Sequence, residues 1–284
     1  MLDLIRQMLP AAVSVELQHG TGRVRHLLVT TEDGGARPCV LRRAPLREWK
    51  LCQSYLNPAA TGAPTLLGAA PADRPEEAWL LLEALPELFP DFSDADQVAA
   101  CYRHLAQLHL RHIGDDHTAE GPWALSTQEI EAALERFPET THLTHQARLL
   151  TDGPATLVQG DYHRWNILLV ENRVRVLDWE HASFAPPIWD LALLAPEEPG
   201  WDGAPRGAMA LHALVTYHEA GPLARLPFHR FLYLQTLARI AIAARWAHIH
   251  ATKAGTLPPG GARSQVEAYA QTERARAANL AAHL

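Results

Sequence analysis

The sequence predicts an α+β protein in which a small antiparallel sheet precedes a larger, mainly helical part. Five short strand-like runs and one main helix occupy residues 1–85, whereas apolar residues recur at helical spacing from residue 94 onward. Strands grouped in one part of a chain and helices in another are typical of this class. We therefore predict an N-terminal lobe over 1–85, a C-terminal lobe over 86–284 and a hinge at about 83–89.

The N-terminal lobe is defined by its turns. A short helix over 3–9 is stopped by Pro10, and the acidic, glycine-containing segment 32–35 gives a hairpin signal between the second and third strands. A helix is predicted over 46–56, directly after the third strand. The predicted strands are 13–17, 25–30, 38–42, 65–68 and 78–82.

The C-terminal part shows helical stripes interrupted by one hairpin. Two aliphatic runs, 167–170 and 174–177, are joined by polar residues 171–173 and predict a pair of strands. The predicted helices are 94–111, 126–137, 208–219, 227–253 and 261–281.

The composition narrows the function classes. The chain has 284 residues and a formal net charge of -7, which argues against the clustered Lys and Arg of a nucleic-acid surface. Three distant cysteines indicate neither a disulfide framework nor a zinc site, and His109, His112 and His117 are expected to be helix-end or surface residues. The N-terminus lacks a signal-peptide pattern, and polar residues within 231–249 favour a buried helix over a membrane span. We expect a cytoplasmic protein and infer no protein partner.

The polar residues that matter most for chemistry lie within residues 157–192. Asp161 and Asn166 precede the predicted hairpin, Asp178 follows its second strand, and Asp190 comes last. Because the two ends of a hairpin lie close together, Asn166 and Asp178 would offer an oxygen pair suited to a hard cation such as Mg²⁺. Asp161 would then be placed to accept a proton. Taken singly, Asp and Asn are also common turn residues.

The spacing Asp-x-x-x-x-Asn, then a hairpin, then Asp is that of the kinase catalytic loop and its metal-binding aspartate. Gly-Asp-Tyr-His-Arg-Trp-Asn at 160–166, Asp-Trp-Glu at 178–180 and Asp-Leu-Ala at 190–192 together resemble the aminoglycoside phosphotransferase and choline kinase family. Members of that family are small-molecule kinases with the protein-kinase fold. The resemblance implies a bilobal, protein-kinase-like fold in which a cleft binds ATP and Mg²⁺ and a small-molecule hydroxyl receives the γ-phosphate.

The same resemblance implies roles for individual residues of this stretch. Asp161 is expected to orient and deprotonate the acceptor hydroxyl, and His163, where protein kinases usually have lysine, to donate to the γ-phosphate. Asn166 and Asp178 are expected to hold Mg²⁺. Asp190 corresponds to the structural acid that supports the backbone of the catalytic loop.

In the N-terminal lobe the resemblance implies a nucleotide site. Gly20 and Gly22 would let the backbone approach the phosphates without Cβ clashes, although an ordinary β-turn also explains an isolated Gly-x-Gly. The hinge backbone at Glu83 and Leu85 is expected to bind the adenine.

The chain departs from the family pattern at two positions. Arg42 stands where kinases place the lysine that contacts the α- and β-phosphates, with Glu48 in the place of its partner; a surface glutamate is the alternative for Glu48. Gln159 replaces the histidine that many members have before Gly-Asp. A catalytically inactive kinase-fold binding or immunity module is therefore the alternative from another class.

The acceptor is predicted from loops and aromatic residues. Acidic loops at 114–120 and 197–202 would attract a polycationic aminoglycoside, which is the favoured acceptor, although acidic loops are equally typical of a solvated surface. A choline-like amino alcohol or a sugar is the alternative, because aromatic side chains suit quaternary ammonium groups. The aromatic residues considered are Trp201, Tyr217, Tyr233 and Trp246.

Overall fold

The computed structural model describes residues 1–21, 23–114, 122–194 and 203–284. It confirms the α+β class. The chain forms two compact units, which we call the first unit, Met1–Asp91 with Arg164–Glu180, and the second unit, Phe92–His163 with His181–Leu284. The lobe boundary after residue 85 and the hinge at about 83–89 stay predictions.

Each predicted helix and strand overlaps an observed one. The α-helices are α1 (Leu2–Met8), α2 (Leu46–Ser54), α3 (Pro58–Thr61), α4 (Ala95–His112), α5 (Thr127–Glu135), α6 (Gly207–Ala220), α7 (Phe228–Thr256) and α8 (Gly261–Ala281). The strands are β1 (Ala12–Thr21), β2 (Val24–Thr31), β3 (Ala36–Pro45), β4 (Leu66–Pro71), β5 (Glu77–Glu83), β6 (Thr156–Val158), β7 (Ile167–Val170), β8 (Arg173–Val176) and β9 (Ser183–Ala185). The 3₁₀ helices are Thr141–Leu150, Arg164–Asn166 and Pro187–Leu191.

The first unit contains a five-stranded sheet in the order β1-β2-β3-β5-β4, with every pairing antiparallel. Successive side chains of a strand point to opposite faces. Cys39 and Leu41 of β3 therefore pack in the buried cluster that includes Ile5 of α1, whereas Ala44 packs on the other face with residues of α2. Arg42 is two residues before Ala44 on the same strand, so its side chain points to the same face of the sheet, the face that packs against α2.

The hairpin of β7 and β8 also belongs to the first unit. Val170 pairs with Arg173, and the two residues between them have φ of +51 and +59. Two central residues with positive φ are typical of a type I′ turn, which matches the twist of the flanking strands. The turn is thus 171–172, and the prediction that residue 173 belongs to it was wrong.

In the second unit, β6 pairs with β9, α4 packs against α6, and α7 packs against α8. The apolar stripe predicted for α4 is buried, with Leu105 and Leu108 both at 0% exposure. The segment 231–249 lies inside α7, much of which is buried. Of the helices in the described ranges, none has both the length and the apolar character that a membrane crossing requires.

Candidate active site

The loop that follows β6 carries Asp161 and depends on the glycine before it. Gly160 has a φ of +82, in the left-handed region that favours glycine. A Cβ atom at this position would lie 2.4 Å from Trp123 Nε1 and 2.5 Å from the carbonyl oxygen of His181. The loop therefore passes too close to its neighbours for a side chain at position 160.

Gln159 supports the same loop from inside the second unit. Its side chain is buried, and its Oε1 accepts a hydrogen bond from the backbone N–H of Asp161 at 2.7 Å. Glutamine at this position therefore supplies a support contact to the residue that carries the predicted base. The loop is therefore supported by Gln159, although this chain lacks the histidine that many members of the similar family have at this position.

Asp190 holds the backbone of this loop. Its Oδ1 accepts from the Gly160 N–H at 2.7 Å, and its Oδ2 accepts from the Gln159 N–H at 2.8 Å. Its Oδ2 also lies 3.0 Å from His109 Nε2, and His109 Nδ1 lies 2.6 Å from the Tyr217 hydroxyl. Burial raises the pKa of Tyr217, and the nearby Asp190 raises it further. We call these three side chains the Asp190 cluster.

His109 is the residue near the site whose burial was not predicted from the sequence. It lies in the last turn of α4, as expected, but its exposure is 0%, so the surface alternative was wrong. The signal was its position four residues after Leu105, which continues the buried stripe of α4. A histidine on such a stripe needs a buried polar partner, and Asp190 is that partner.

Asp161 itself faces open space. Its side chain is 38% exposed, and its Oδ2 lies 3.2 Å from His163 Nε2. It lines two cavities of the second unit, with volumes of about 430 and 260 Å³. The carboxylate is therefore accessible to a ligand, and His163 contacts the predicted base.

The acceptor residues predicted from sequence have three different outcomes. Trp246 lines both cavities beside Asp161. Tyr217 is fully buried, so the suggestion that it could face a cationic substrate was wrong. Trp201 and the acidic residues of the loops 114–120 and 197–202 lie outside the described residues.

The first unit places one arginine among three carboxylates, which we call the Arg42 cluster. Arg42 Nη1 lies 2.9 Å from Asp178 Oδ1, and Arg42 Nη2 lies 3.1 Å from Glu48 Oε2 and 3.4 Å from Glu180 Oε2. The Arg42 side chain is only 12% exposed. Arg42 and Glu48 thus form the cation–glutamate pair expected from the sequence. Glu180, which had no predicted role, is a further member.

Burial sets the electrostatics of the Arg42 cluster. Glu48 is 2% exposed, which rules out a surface glutamate. Burial raises the pKa of Glu48 to about 7, although the Arg42 guanidinium acts in the opposite direction. With all four groups ionised the cluster has one positive and three negative charges, a formal excess of two negative charges. Such an excess matches a divalent cation.

Asn166 and Asp178 are brought together by the hairpin. The Leu177 N–H donates to the Asn166 carbonyl oxygen at 2.8 Å, which closes the base of the hairpin next to Asp178. Asp178 has a φ of +53, a conformation uncommon for a residue with a side chain and often found at functional sites. Both side chains line one cavity of about 260 Å³ that also includes Arg42 and Glu48. An amide oxygen and a carboxylate are hard donors that fit Mg²⁺.

Residues of the predicted hinge line the same cavity of the first unit. The Glu83 carboxylate accepts from the Thr65 N–H at 2.9 Å and contacts Arg175. Burial raises the pKa of Glu83, but these hydrogen bonds more than offset it and hold the pKa below its usual value. The Glu83 backbone N–H donates to the Thr65 carbonyl oxygen, so the backbone group of Glu83 left to consider for the adenine is its carbonyl. Leu85 is a further lining residue.

The two glycines predicted to approach phosphate differ in outcome. Gly20 has a φ of +132, and a Cβ there would lie 2.4 Å from the Val24 carbonyl oxygen. The turn between β1 and β2 therefore requires glycine for its own geometry. Gly22 lies outside the described residues.

In the antiparallel sheet, a cation on β3 is paired with a glutamate of the next helix. Asp161, Asn166 and Asp178 follow one another along the chain in the order of the kinase motif. Together these features define a phosphotransferase of the kinase class. The family model described as the phosphotransferase enzyme family matches residues 58–232, more than half of the chain. The chain belongs to this family, and its class is that of the ATP-dependent small-molecule kinases. The resemblance seen in the sequence is confirmed. A comparison with curated proteins found no match.

Solved structures share the fold at low sequence identity. A thermostable mutant of aminoglycoside phosphotransferase APH(4)-Ia is 12% identical, with a TM-score of 0.62 over 98% of both chains. A macrolide 2'-phosphotransferase, MphH from Brachybacterium faecium, is 19% identical, with a TM-score of 0.56 over 95% of this chain and 96% of the other. A putative fructosamine-3-kinase from Thermobifida fusca is 18% identical, with a TM-score of 0.61 over 100% and 99%. These similarities confirm the protein-kinase-like fold.

Proposed function

We propose that residues of the first unit bind Mg²⁺ and ATP, and that residues of the second unit bind a small molecule whose hydroxyl is phosphorylated. The observation that carries this proposal is the chemistry of the cavity linings. Asn166 and Asp178 share a cavity with the Arg42–Glu48 pair, whereas Asp161 lines the cavities of the second unit. APH(4)-Ia has been solved with AMP-PNP and hygromycin B, which supports a nucleotide and a small molecule as ligands of this fold.

Asp161 is the proposed general base. As the acceptor oxygen forms its bond to the γ-phosphorus, the proton of the hydroxyl passes to the Asp161 carboxylate. The bond from the γ-phosphorus to the β,γ-bridging oxygen breaks, and ADP leaves with its electron pair. His163 lies 3.2 Å from the same carboxylate. We propose that it orients Asp161 and donates to the transferred phosphoryl group.

Asn166 and Asp178 are the proposed metal ligands. Mg²⁺ bound there would neutralise the charge that develops on the phosphate oxygens during transfer. The formal excess of negative charge in the Arg42 cluster supports this assignment, because a carboxylate-rich cavity attracts a divalent cation. Asp178 is 40% exposed, so part of its carboxylate is accessible to such an ion.

Arg42 is the proposed phosphate-binding cation, and Glu48 and Glu180 orient it. A guanidinium is a planar fork whose two terminal nitrogens can contact different partners at once. Here Nη1 faces Asp178 and Nη2 faces both glutamates. The Glu83 carbonyl and the Leu85 backbone are the proposed adenine contacts, and Gly20 is the proposed neighbour of the phosphates.

Asp190 is proposed as a positioning residue for the catalytic loop. It binds the two backbone N–H groups that immediately precede Asp161 in the chain, those of Gln159 and Gly160. The carboxylate itself is buried, and both of its oxygens accept from donors of the protein, so we propose that it acts through the loop.

The first test measures nucleotide binding and turnover separately. Mg-ATP at millimolar concentration should raise the melting temperature, because a ligand that binds only the native state stabilises it. Phosphoryl transfer is then screened with kanamycin, choline, ethanolamine, homoserine and neutral and acidic sugars. Kanamycin tests the aminoglycoside prediction directly.

Asp161→Asn is the matched blank for this screen. It keeps the shape of the side chain but removes the base, so turnover should fall by about 10² to 10⁴-fold while Mg-ATP stabilisation remains. Turnover that survives the substitution would show that Asp161 is not the base. Absence of any Mg-ATP stabilisation would favour the inactive kinase-fold module.

A further inference from the structure

The guanidinium group of Arg42 contacts the carboxylate that the proposed function assigns to the metal. Arg42 Nη1 lies 2.9 Å from Asp178 Oδ1, which is the usual length of a hydrogen bond between two charged groups. Both residues belong to the first unit, and both line its cavity of about 260 Å³. A cation of the protein therefore already pairs with one oxygen of the proposed metal ligand.

The two terminal nitrogens of Arg42 have partners that differ in burial. Nη2 lies 3.1 Å from Glu48 Oε2, and the Glu48 side chain is only 3% exposed. Glu180 lies on the same side, at 3.4 Å from Nη2. Nη1 faces Asp178, whose side chain is 40% exposed. A buried charge that loses its partner costs more free energy than an exposed one. The contact with Glu48 is therefore the anchor, and the contact with Asp178 is the one that can be exchanged.

A divalent cation and Nη1 compete for the Asp178 carboxylate. An ion bound to this carboxylate would lie close to Nη1, and two cations at short distance repel each other. The repulsion is relieved when Nη1 leaves Asp178 and contacts an anion elsewhere in the cavity. The phosphates of a nucleotide are such an anion, because a guanidinium group binds phosphate oxygens well.

We propose that Asp178 exchanges Arg42 Nη1 for the metal ion, and that Nη1 passes to the phosphates of the nucleotide while Nη2 stays on Glu48. This inference rests on the proposed function, because it takes Asp178 as a metal ligand and Arg42 as a phosphate contact. Each ligand removes a contact that opposes the other, so metal and nucleotide favour each other's binding. Metal alone binds weakly, because Nη1 then leaves Asp178 without a new anion to contact.

The exchange depends on arginine at position 42. Lysine has a single nitrogen in place of the planar fork. Glu48 is the most buried carboxylate of the Arg42 cluster, so the ammonium group of a lysine should stay with Glu48 and leave Asp178. The net charge of the cluster is unchanged by this substitution, but the competitor of the metal on Asp178 is removed.

The test measures metal binding without nucleotide. Mn²⁺ is the probe, because it suits the same oxygen ligands as Mg²⁺ and its free and bound forms are distinguished by electron paramagnetic resonance. The Kd for Mn²⁺ should be at least about tenfold lower in Arg42→Lys than in wild type, since a hydrogen bond between charged groups no longer opposes binding. Arg43→Lys is the control and should match wild type. Arg43 points to the opposite face of β3 and pairs with Glu77 at 3.2 Å.

A second variant decides the question if Arg42→Lys does not fold. Arg42→Gln combined with Glu48→Gln removes one positive and one negative charge, so the net charge is unchanged and the buried pair disappears as a whole. The Kd for Mn²⁺ should again fall at least about tenfold. An effect of net charge alone predicts no change. Arg43→Gln combined with Glu77→Gln is the matched control, and melting temperatures show which proteins are folded.

The outcomes separate this inference from the proposed function. An equal or higher Kd for Mn²⁺ in the folded Arg42 variants overturns the exchange, because Arg42 would then not oppose the metal. Mn²⁺ that binds Asp178→Asn as tightly as wild type also overturns it, since the ion would be held elsewhere. In the first case Mg-ATP stabilisation and turnover still support the proposed function. Loss of Mg-ATP binding in wild type contradicts the proposed function, whereas the Mn²⁺ affinities are measured without nucleotide and stand or fall separately.

Discussion

The Arg42 cluster of the first unit and the Asp190 cluster of the second unit both contain carboxylates. They differ in how exposed these carboxylates are and in which groups contact them. In the Arg42 cluster, Asp178 and Glu180 are 40% and 29% exposed, and three carboxylates face one guanidinium. In the Asp190 cluster, the side chains of Asp190 and His109 have 0% exposure. There, both carboxylate oxygens are occupied by the loop N–H groups and the His109 ring.

The difference separates a ligand-binding acid from a structural one. A buried carboxylate is stable when donors surround it, and such a group fixes the backbone that supplies those donors. A group of carboxylates with one cation keeps an excess of negative charge, and close like charges disfavour ionisation. The raised pKa of Glu48 is consistent with that excess, although burial is its main cause. We therefore expect variants of the Arg42 cluster to lose mainly turnover and variants of the Asp190 cluster to lose mainly stability.

Among variants of the two clusters, the largest effect is expected for Asp178→Asn, which should reduce phosphoryl transfer about a thousandfold. The carboxylate is lost as a proposed metal ligand, while asparagine tolerates the positive φ of +53 at this position. Stability should change by about 1 kcal/mol or less, because the pair with Arg42 is partly exposed. Turnover rates and urea unfolding measure the two effects.

An Asp178→Asn protein that retains turnover would remove Asp178 from the metal site. The magnesium dependence of the residual activity provides the control. A higher Mg²⁺ requirement in the variant supports a role as ligand, whereas an unchanged requirement indicates a role in orienting Arg42.

Asp190→Asn should instead act on stability, with a loss of about 3 kcal/mol. The amide has one acceptor oxygen, and its NH₂ group would face backbone donors that now bind a carboxylate. Tyr217→Phe is the matched mild variant, because it removes only the hydroxyl contact with His109 and should cost about 1 kcal/mol. Urea unfolding measures both. Equal midpoints for Asp190→Asn and wild type would contradict a structural role for the cluster.

Much of this fold could be predicted because its elements are local in sequence. The sheet strands end at turn residues, and the long helices show apolar stripes, so periodicity and turn chemistry were sufficient. The pair β6–β9 was not predicted. Each strand has three residues, and the partners, Thr156–Val158 and Ser183–Ala185, are separated by the whole catalytic stretch. Such pairing depends on tertiary packing, which a local pattern does not contain.

The candidate site was predictable to a similar extent. The order of Asp161, Asn166, Asp178 and Asp190 follows from motif spacing, which is a property of the sequence. The positions of Arg239 and Arg276 in a cavity with Asp161 do not follow from any spacing in the sequence. They lie on α7 and α8, and which helix face borders a cavity depends on how distant helices pack.

Arg42→Lys tests whether the Arg42 cluster is adapted to arginine, and we expect turnover to fall about tenfold. A single ammonium nitrogen cannot reproduce the fork that contacts Asp178 on one side and both glutamates on the other. Arg43→Lys is the control, because the neighbouring Arg43 pairs with Glu77 at 3.2 Å. Higher turnover in Arg42→Lys would mean that arginine is a handicap at this position.

The smallest effect is expected for Glu48→Gln and appears as a change in pH dependence. Burial raises the pKa of Glu48 from its usual value of 4.5 to about 7, so the folded state keeps a proton that the unfolded state releases. The resulting stabilisation is present at acidic pH and is lost as pH rises toward 7. Wild type should therefore lose stability relative to Glu48→Gln across this window. Above it, ionised Glu48 orients Arg42, so turnover of wild type should rise through about pH 7 and exceed that of the variant a few-fold. Parallel pH profiles for the two proteins, in both unfolding and turnover, would show that Glu48 does not titrate there.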